Sequence, residues 1–207
     1  FDVLNDEFPE SESLDTLIYC PGTIKLKPIS SLTLDDFRYD FELNVIGAVK
    51  AIKKYLNLLK KSENPSILMF STVATKLGMP YHTSVSVSKS GIDGLVKTLG
   101  AELAPKIRIN AIAPTITNTD LASKILRNEK VIENMIERHP LKKILSPDEI
   151  AKMAYYLISK NCVNENTQKH YSEKLLLIDH LPMIYSKPIN KKKLFECTTT
   201  SLSLIHI

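Results

Sequence analysis

Ser66-Ile67-Leu68-Met69-Phe70-Ser71 is the stretch on which the fold turns. Its four central residues are apolar without alternation. Asn64-Pro65 interrupts the chain before it, and Thr72–Ser84, carrying Gly78 and Pro80, loops away after it. A strand with one solvated face alternates apolar and polar residues, whereas a parallel strand covered by helices on both faces is apolar throughout. The stretch is therefore predicted to be an inner strand of a parallel sheet.

The segments around it have helical spacing. Leu34–Lys61 repeats Phe41, Val45, Ala48, Ile52, Leu56 and Leu59 every three or four residues, an apolar face. Thr33 stands at the cap position, and lysines load the second half, where the helix dipole favours them. This segment is long enough for two helices in series. Val85–Leu103 runs helically through Val85, Lys89, Ile92, Leu95, Val96 and Leu99; Gly91 and Gly94 are expected to permit close packing, and Pro105 ends it. Ile107–Ile112 reads as a strand, Leu121–Arg138 as an amphipathic helix, and Glu149–Ser159 as a helix opened by Pro147. Leu175–Ile178 reads as a last buried strand. Upstream, Leu17–Tyr19 reads as a strand ending at the Pro21-Gly22 turn. Phe1–Leu4 is a strand-like stub, and acidic Asn5–Asp15 a solvated helix or loop. Strands alternating with helices give an α/β fold, a doubly wound parallel sheet.

Composition agrees. The 207 residues are 43% hydrophobic and 24% charged, which suits one domain with a full core. A net charge of +4 without a basic block argues against nucleic acid. No apolar run is long enough for a membrane helix, so a cytoplasmic protein is expected. Cys20, Cys162 and Cys197 make no disulfide framework, and the scattered histidines make no metal site. Only six glycines occur, and the chain begins at Phe1.

In an open parallel sheet, ligands sit beyond the C-terminal strand ends. The segments expected there, in their order and spacing, resemble the short-chain dehydrogenase/reductase family over residues 1–181. Asp2-Val3 resembles the pair ending that family's third strand, whose Asp helps hold adenine. Tyr19-Cys20-Pro21-Gly22 stands where the family has Asn-Asn-Ala-Gly beside the adenine ribose. Asn44 matches the helix asparagine of the catalytic tetrad, Thr72 its serine, and Lys89 the lysine of Tyr-x-x-x-Lys. Asn110-Ala111-Ile112-Ala113-Pro114-Thr115 matches Asn-Ala-x-x-Pro-Gly, with Ile116 following, and Thr119 matches the nicotinamide-side threonine. Pro147-Asp148-Glu149-Ile150-Ala151 and Leu177-Ile178-Asp179 match the closing helix and strand.

The resemblance implies a Rossmann-like sheet and NAD or NADP as cofactor. It implies a small-molecule substrate and, at full length, a homo-dimer or homo-tetramer built on the helices at 34–61 and 85–103. Two departures matter. The tyrosine position, four before Lys89, is Val85, and valine exchanges no proton. The glycine-rich turn of the first strand is absent, so the chain reads as lacking the first two strands and helices. Such a fragment, with sheet edges uncovered, is expected to be poorly soluble. Residues 182–207 are expected to be an unstructured tail, and 202–207 resemble a translated sequencing-adapter scar. Gly78-Met79-Pro80-Tyr81-His82-Thr83-Ser84-Val85 and Arg138-His139-Pro140-Leu141-Lys142 further resemble a bacterial subgroup that carries Val or Ile at the tyrosine position.

Each candidate also has a plainer reading. Lys89 either bonds the nicotinamide ribose or is a surface lysine. Asn44 either belongs to the catalytic relay or satisfies a helix distortion, or both. Thr72 either orients a carbonyl or simply ends a strand. His82, three residues before Val85, either supplies the missing acid/base or makes a structural loop bond; Tyr81 is the weaker candidate. Two functions follow: an NAD(P)-dependent oxidoreductase of a carbonyl or secondary alcohol in the full-length parent, weak or inactive as this fragment, or a catalytically inactive cofactor-binding or regulatory homologue.

Overall fold

The computed structural model describes residues 1–159, 175–178 and 202–205. Strands β1 (Thr16–Tyr19), β2 (Ser66–Phe70), β3 (Arg108–Ile112), β4 (Leu175–Ile178) and β5 (Leu202–Ile205) lie side by side in chain order. The first four are mutually parallel, and β5 runs antiparallel to β4. The register sets Leu17 beside Ile67 and Ile67 beside Ile109.

The apolar run of β2 is buried from both sides, as its composition requires. Ile67 and Met69 join Ile109 and Ala111 under helices α2 (Gly47–Leu59) and α3 (Thr83–Leu103). Leu68 joins Ile112 against Met153 and Leu157 of α5 (Pro147–Ile158). The sheet is thus doubly wound. Arg108 ties β3 to α5 by donating to the Leu157 and Ile158 carbonyls at 2.6 and 3.0 Å, where a cation suits the helix C-terminus.

The 34–61 segment is helical through Leu59 but not uniform. Helix α1 (Leu34–Phe41) starts at a capping box between Thr33 and Asp36, passes through π-helical Glu42–Ile46, and continues as α2. Its expected apolar face is also displaced. On α1 the buried residues are Asp36 and Asp40, while Phe41 is 43% exposed. Only from Val45 onward does the apolar stripe meet the core. The reason is position: α1 lies over a polar site, and α2 lies over the sheet.

Other boundaries move. Phe1–Leu4 forms no strand. The Asp2 carboxylate accepts from the Leu4 amide at 2.9 Å and the Asn5 side chain at 2.8 Å, folding residues 2–6 into a turn; such local bonds compete with a sheet ladder. Residues 5–15 form a loop, with Phe8 packed edge-on against Tyr55 of α2. The helix expected over Leu121–Arg138 begins only at Glu129, where Asn128 caps α4 (Glu129–Arg138); Asp120–Ala122 is a single 3-10 turn. Gly91 permits the expected close approach, since a Cβ there would lie 2.8 Å from Val45, but Gly94 faces nothing within 4 Å among the described residues. In the stretch expected to be unstructured, Leu202–Ile205 forms β5, whose alternating Leu-Ser-Leu suits a short strand. His170 and His180 lie outside the described residues. Among the described residues no helix is long and apolar enough to cross a membrane.

Candidate functional site

The site is assembled where β1, β2 and their following segments meet α1 and α3. Lys89 is its centre. It lies one helical turn past Val85 and is buried, only 8% exposed. Its Nζ donates to the carbonyl of Phe70, the last residue of β2, at 2.8 Å. Burial pushes the ammonium down to about 8, although Cys20 and Asp93 pull the other way.

Gly22 closes on this lysine from the end of β1. A Cβ at position 22 would stand 3.3 Å from Lys89 Nζ and 3.4 Å from Asn44 Oδ1. The turn Pro21-Gly22 therefore does more than reverse the chain: it brings backbone against two polar side chains where an alanine would crowd them. Asn44 is fully buried in the π-helical segment. Its Nδ2 donates to the Asp40 carbonyl at 2.9 Å and to Ser88 Oγ at 3.1 Å. Its Oδ1 is buried without a donor among the described residues. An ammonium with donors to spare thus stands near an unused acceptor, over a glycine. Of the two, Lys89 Nζ, with its remaining donors, is the group that would hold the hydroxyl groups of a dinucleotide ribose.

The other candidates surround this centre unequally. Thr72 follows β2 and caps the 3-10 turn Val73–Thr75, its Oγ1 accepting from the Ala74 amide at 3.3 Å. Its hydroxyl proton remains free to donate. Val85 is buried to 5% exposure. His82 sits at the cap of α3, and its Nδ1 donates to the Pro80 carbonyl at 2.7 Å, leaving Nε2 as the ring's acceptor. Tyr81 is 59% exposed in a left-handed conformation, φ 66°. Beyond β3, the Pro114 carbonyl accepts from the Val73 amide at 3.3 Å, and so joins the two strand-end loops. Thr115 and Ile116 accept through their carbonyls from the Thr117 hydroxyl and the Leu145 amide. The Thr119 hydroxyl caps the 3-10 turn at 120–122. Asp2 is exposed and both its carboxylate oxygens are engaged in its own turn, which lowers its pKa.

Sequence reasoning missed Asp40. It is fully buried on α1, accepting from Thr23 Oγ1 at 2.7 Å and from Ser84 Oγ. Its signal was available: an acid four residues before Asn44, on the helix face that should bury. Also missed was Tyr19, whose hydroxyl donates to the Leu43 carbonyl of the π-helical segment at 2.6 Å. Burial pushes its phenol up to about 12. Nearby, Lys25 bonds Asp36 and, with the Thr33 amide, holds that carboxyl far below the usual range.

The family model described as enoyl-(acyl carrier protein) reductase matches residues 2–171. A tropinone reductase homolog of Datura stramonium is 32% identical over 148 residues, covering 70% of this chain and 55% of that protein. A short-chain dehydrogenase/reductase (glucose/ribitol dehydrogenase) of Brucella melitensis superposes with TM-score 0.68 at 26% identity, over 72% of this chain and 60% of that one. ElxO, solved with NADP bound, gives TM-score 0.65 at 27% identity, over 71% and 60%. The chain therefore spans a little over half the length of the relatives it matches. The match over most of its residues, carried on a doubly wound sheet with Lys89 and Asn44 at the strand ends, places this chain in the short-chain dehydrogenase/reductase family.

Proposed function

We propose that this chain serves an NAD(P)-dependent oxidoreductase acting on a carbonyl or secondary alcohol. The observation that carries the reading is the convergence of Lys89 Nζ and Asn44 Oδ1 on Gly22. ElxO, of the same fold, was solved with NADP, which supports a dinucleotide here. When bound, the cofactor would supply the hydride. Lys89 and Gly22 would hold its ribose, with Pro21, Pro114, Thr115, Ile116 and Thr119 along the rest of the cleft and Asp2 toward the adenine. Thr72, with its free hydroxyl proton, would orient the substrate oxygen.

Val85 cannot exchange the proton that reduction requires. His82 is the proposed source, because its Nδ1 is anchored on Pro80 and its Nε2 is free to carry a proton. Val85 also favours the second reading, a cofactor-binding protein without dehydrogenase activity. A groove of about 320 Å³ between α1 and α3, lined by Phe37, Phe41 and Val87, is proposed as the face that a second copy covers.

Titration with NADH and NADPH, followed by turnover of simple ketones and aldehydes, tests these readings. Binding with reduction supports the enzyme. Binding without reduction of any carbonyl supports the inactive homologue. Absence of binding to either dinucleotide overturns both for this chain.

A further inference from the structure

We infer that Asp40 is the residue that positions the cofactor cradle, holding Gly22, Asn44 and the start of α3 in one arrangement. The inference deepens the function proposed above and rests on it for its ligand.

Asp40 is 0% exposed. A carboxylate withdrawn from water needs partners for its oxygens, and here each has one. Oδ1 accepts from Thr23 Oγ1 at 2.7 Å, and Oδ2 accepts from Ser84 Oγ. The Asp40 main-chain carbonyl accepts from Asn44 Nδ2 at 2.9 Å. These partners come from three separate elements: the segment after β1, the first turn of α3, and the π-helical segment after α1.

Each partner is one step from a site residue. Thr23 follows Gly22, whose backbone closes on Lys89. Ser84 precedes Val85, at the position where the resemblance implies a tyrosine. Asn44 carries the unpaired acceptor of the cradle. A single side chain thus links the parts whose relative placement sets how closely Gly22 approaches Lys89. The neighbouring residues reinforce the same link. Lys25 and Lys27 bond Asp36 at 2.8 and 3.3 Å, one turn before Asp40, and Lys25 also lies 4.8 Å from the centre of the Tyr39 ring. Those bonds are partly solvated and hold the segment after β1 loosely, whereas Asp40 itself is fully buried and its bonds are directional.

Lys89 is where a loosened knot would be felt. If the Asp40 bonds give way, Gly22 withdraws and water reaches Nζ, so the protonated amine becomes easier to form. In the intact chain the Lys89 amine titrates at about 8, against an ordinary 10.5. Asp40→Leu removes both acceptors, while Asp40→Asn keeps the shape and one acceptor. Thr23→Val and Ser84→Ala each remove a single donor.

The experiment is NMR of the 207-residue chain with ¹³C-methylated lysines, the Lys89 resonance being assigned by its absence from Lys89→Met. It is paired with NADPH binding followed by the fluorescence of the nicotinamide. In Asp40→Leu the Lys89 midpoint should move upward and NADPH affinity should fall at least roughly ten-fold, a loss of about 1.4 kcal/mol. Asp40→Asn should retain most of both, and Thr23→Val should reproduce a smaller form of the Asp40→Leu effect. If Asp40→Leu and Thr23→Val only lower the melting temperature, with the Lys89 midpoint and NADPH affinity unchanged, Asp40 is a stability residue and the inference is overturned. If the unmodified chain binds no NADPH, the cofactor reading fails for this chain, and the Lys89 midpoint alone still decides the role of Asp40.

Discussion

The phenol oxygen of Tyr19 occupies the place where a side chain on Gly47 would begin, so that a Cβ at position 47 would overlap it. The same oxygen donates to the Leu43 carbonyl at 2.6 Å. Tyr19 ends β1 and Gly47 begins α2, so the pair sets the distance between the sheet and the π-helical segment that carries Asn44. Gly47→Ala should destabilise by about 1–3 kcal/mol through overpacking, and Tyr19→Phe by about 1 kcal/mol through the lost hydrogen bond. Combined, the two should cost less than their sum, because removing the phenol oxygen relieves part of the clash. Urea denaturation of the four proteins gives the coupling; strict additivity would show that the two residues do not constrain each other.

Lys89 should make stability rise with pH. Its folded value of about 8 lies below the ordinary 10.5 because burial disfavours the ammonium. Between these values the unfolded chain holds more protons than the folded one, so raising the pH favours folding. The penalty is fully present below about pH 8 and relieved toward 10.5, amounting to at most about 3 kcal/mol. Tyr19, pushed up to about 12, works oppositely at the alkaline end. The difference between the intact chain and Lys89→Met cancels that contribution. Denaturation midpoints of both at about pH 7.5 and about pH 9.5 should diverge, with only the intact chain gaining.

Position 85 should decide turnover. Val85→Tyr is expected to raise carbonyl reduction by about 10²-fold or more, the usual scale for a positioned acid. Val85→Phe should not, because the hydroxyl and not the ring is what valine lacks. Val85 is 5% exposed, so both variants are read against their melting temperatures. Equal rates in the two would remove the proton-donor explanation.

His82 is tested in the otherwise unaltered chain. His82→Ala should lower the reduction rate at least roughly ten-fold. His82→Gln, which can still bond the Pro80 carbonyl, should not restore it. An unchanged rate in His82→Ala would assign the ring to loop structure alone.

The groove between α1 and α3 should respond to charge. Val87 is 55% exposed and Phe41 43%. Val87→Glu should leave the fold intact, as far-ultraviolet circular dichroism would report, and shift the sedimentation coefficient toward a single chain. A protein that already sediments as one chain would show that this face has no second copy on it.

The family resemblance was legible because its marks are local. An uninterrupted apolar run such as Ile67–Phe70 has few stable solutions other than a strand covered on both faces. Asn44 and Lys89 fall within helices whose periodicity the sequence already shows, Thr72 falls just past a strand end, and the structure brings Asn44 and Lys89 together at Gly22. Less legible were elements governed by short side-chain bonds. The turn at Asp2 replaces an expected strand, and Asn128 delays α4, because a single carboxylate or amide outweighs weak propensity over a few residues.

The sequence by itself determined the layers: where strands are buried from both sides, which long segments are helical, and which polar residues stand at the strand ends. Only the tertiary structure decided which of those residues meet. Thr23 and Ser84 lie 17 and 44 positions from Asp40, and nothing in local spacing pairs them. They converge because α1 packs over α3 and carries its acidic face, not its apolar one, inward. The depth at which Lys89 sits, and so its readiness to lose a proton, follows from that packing, since desolvation depends on what surrounds a charge and not on where it falls in the chain.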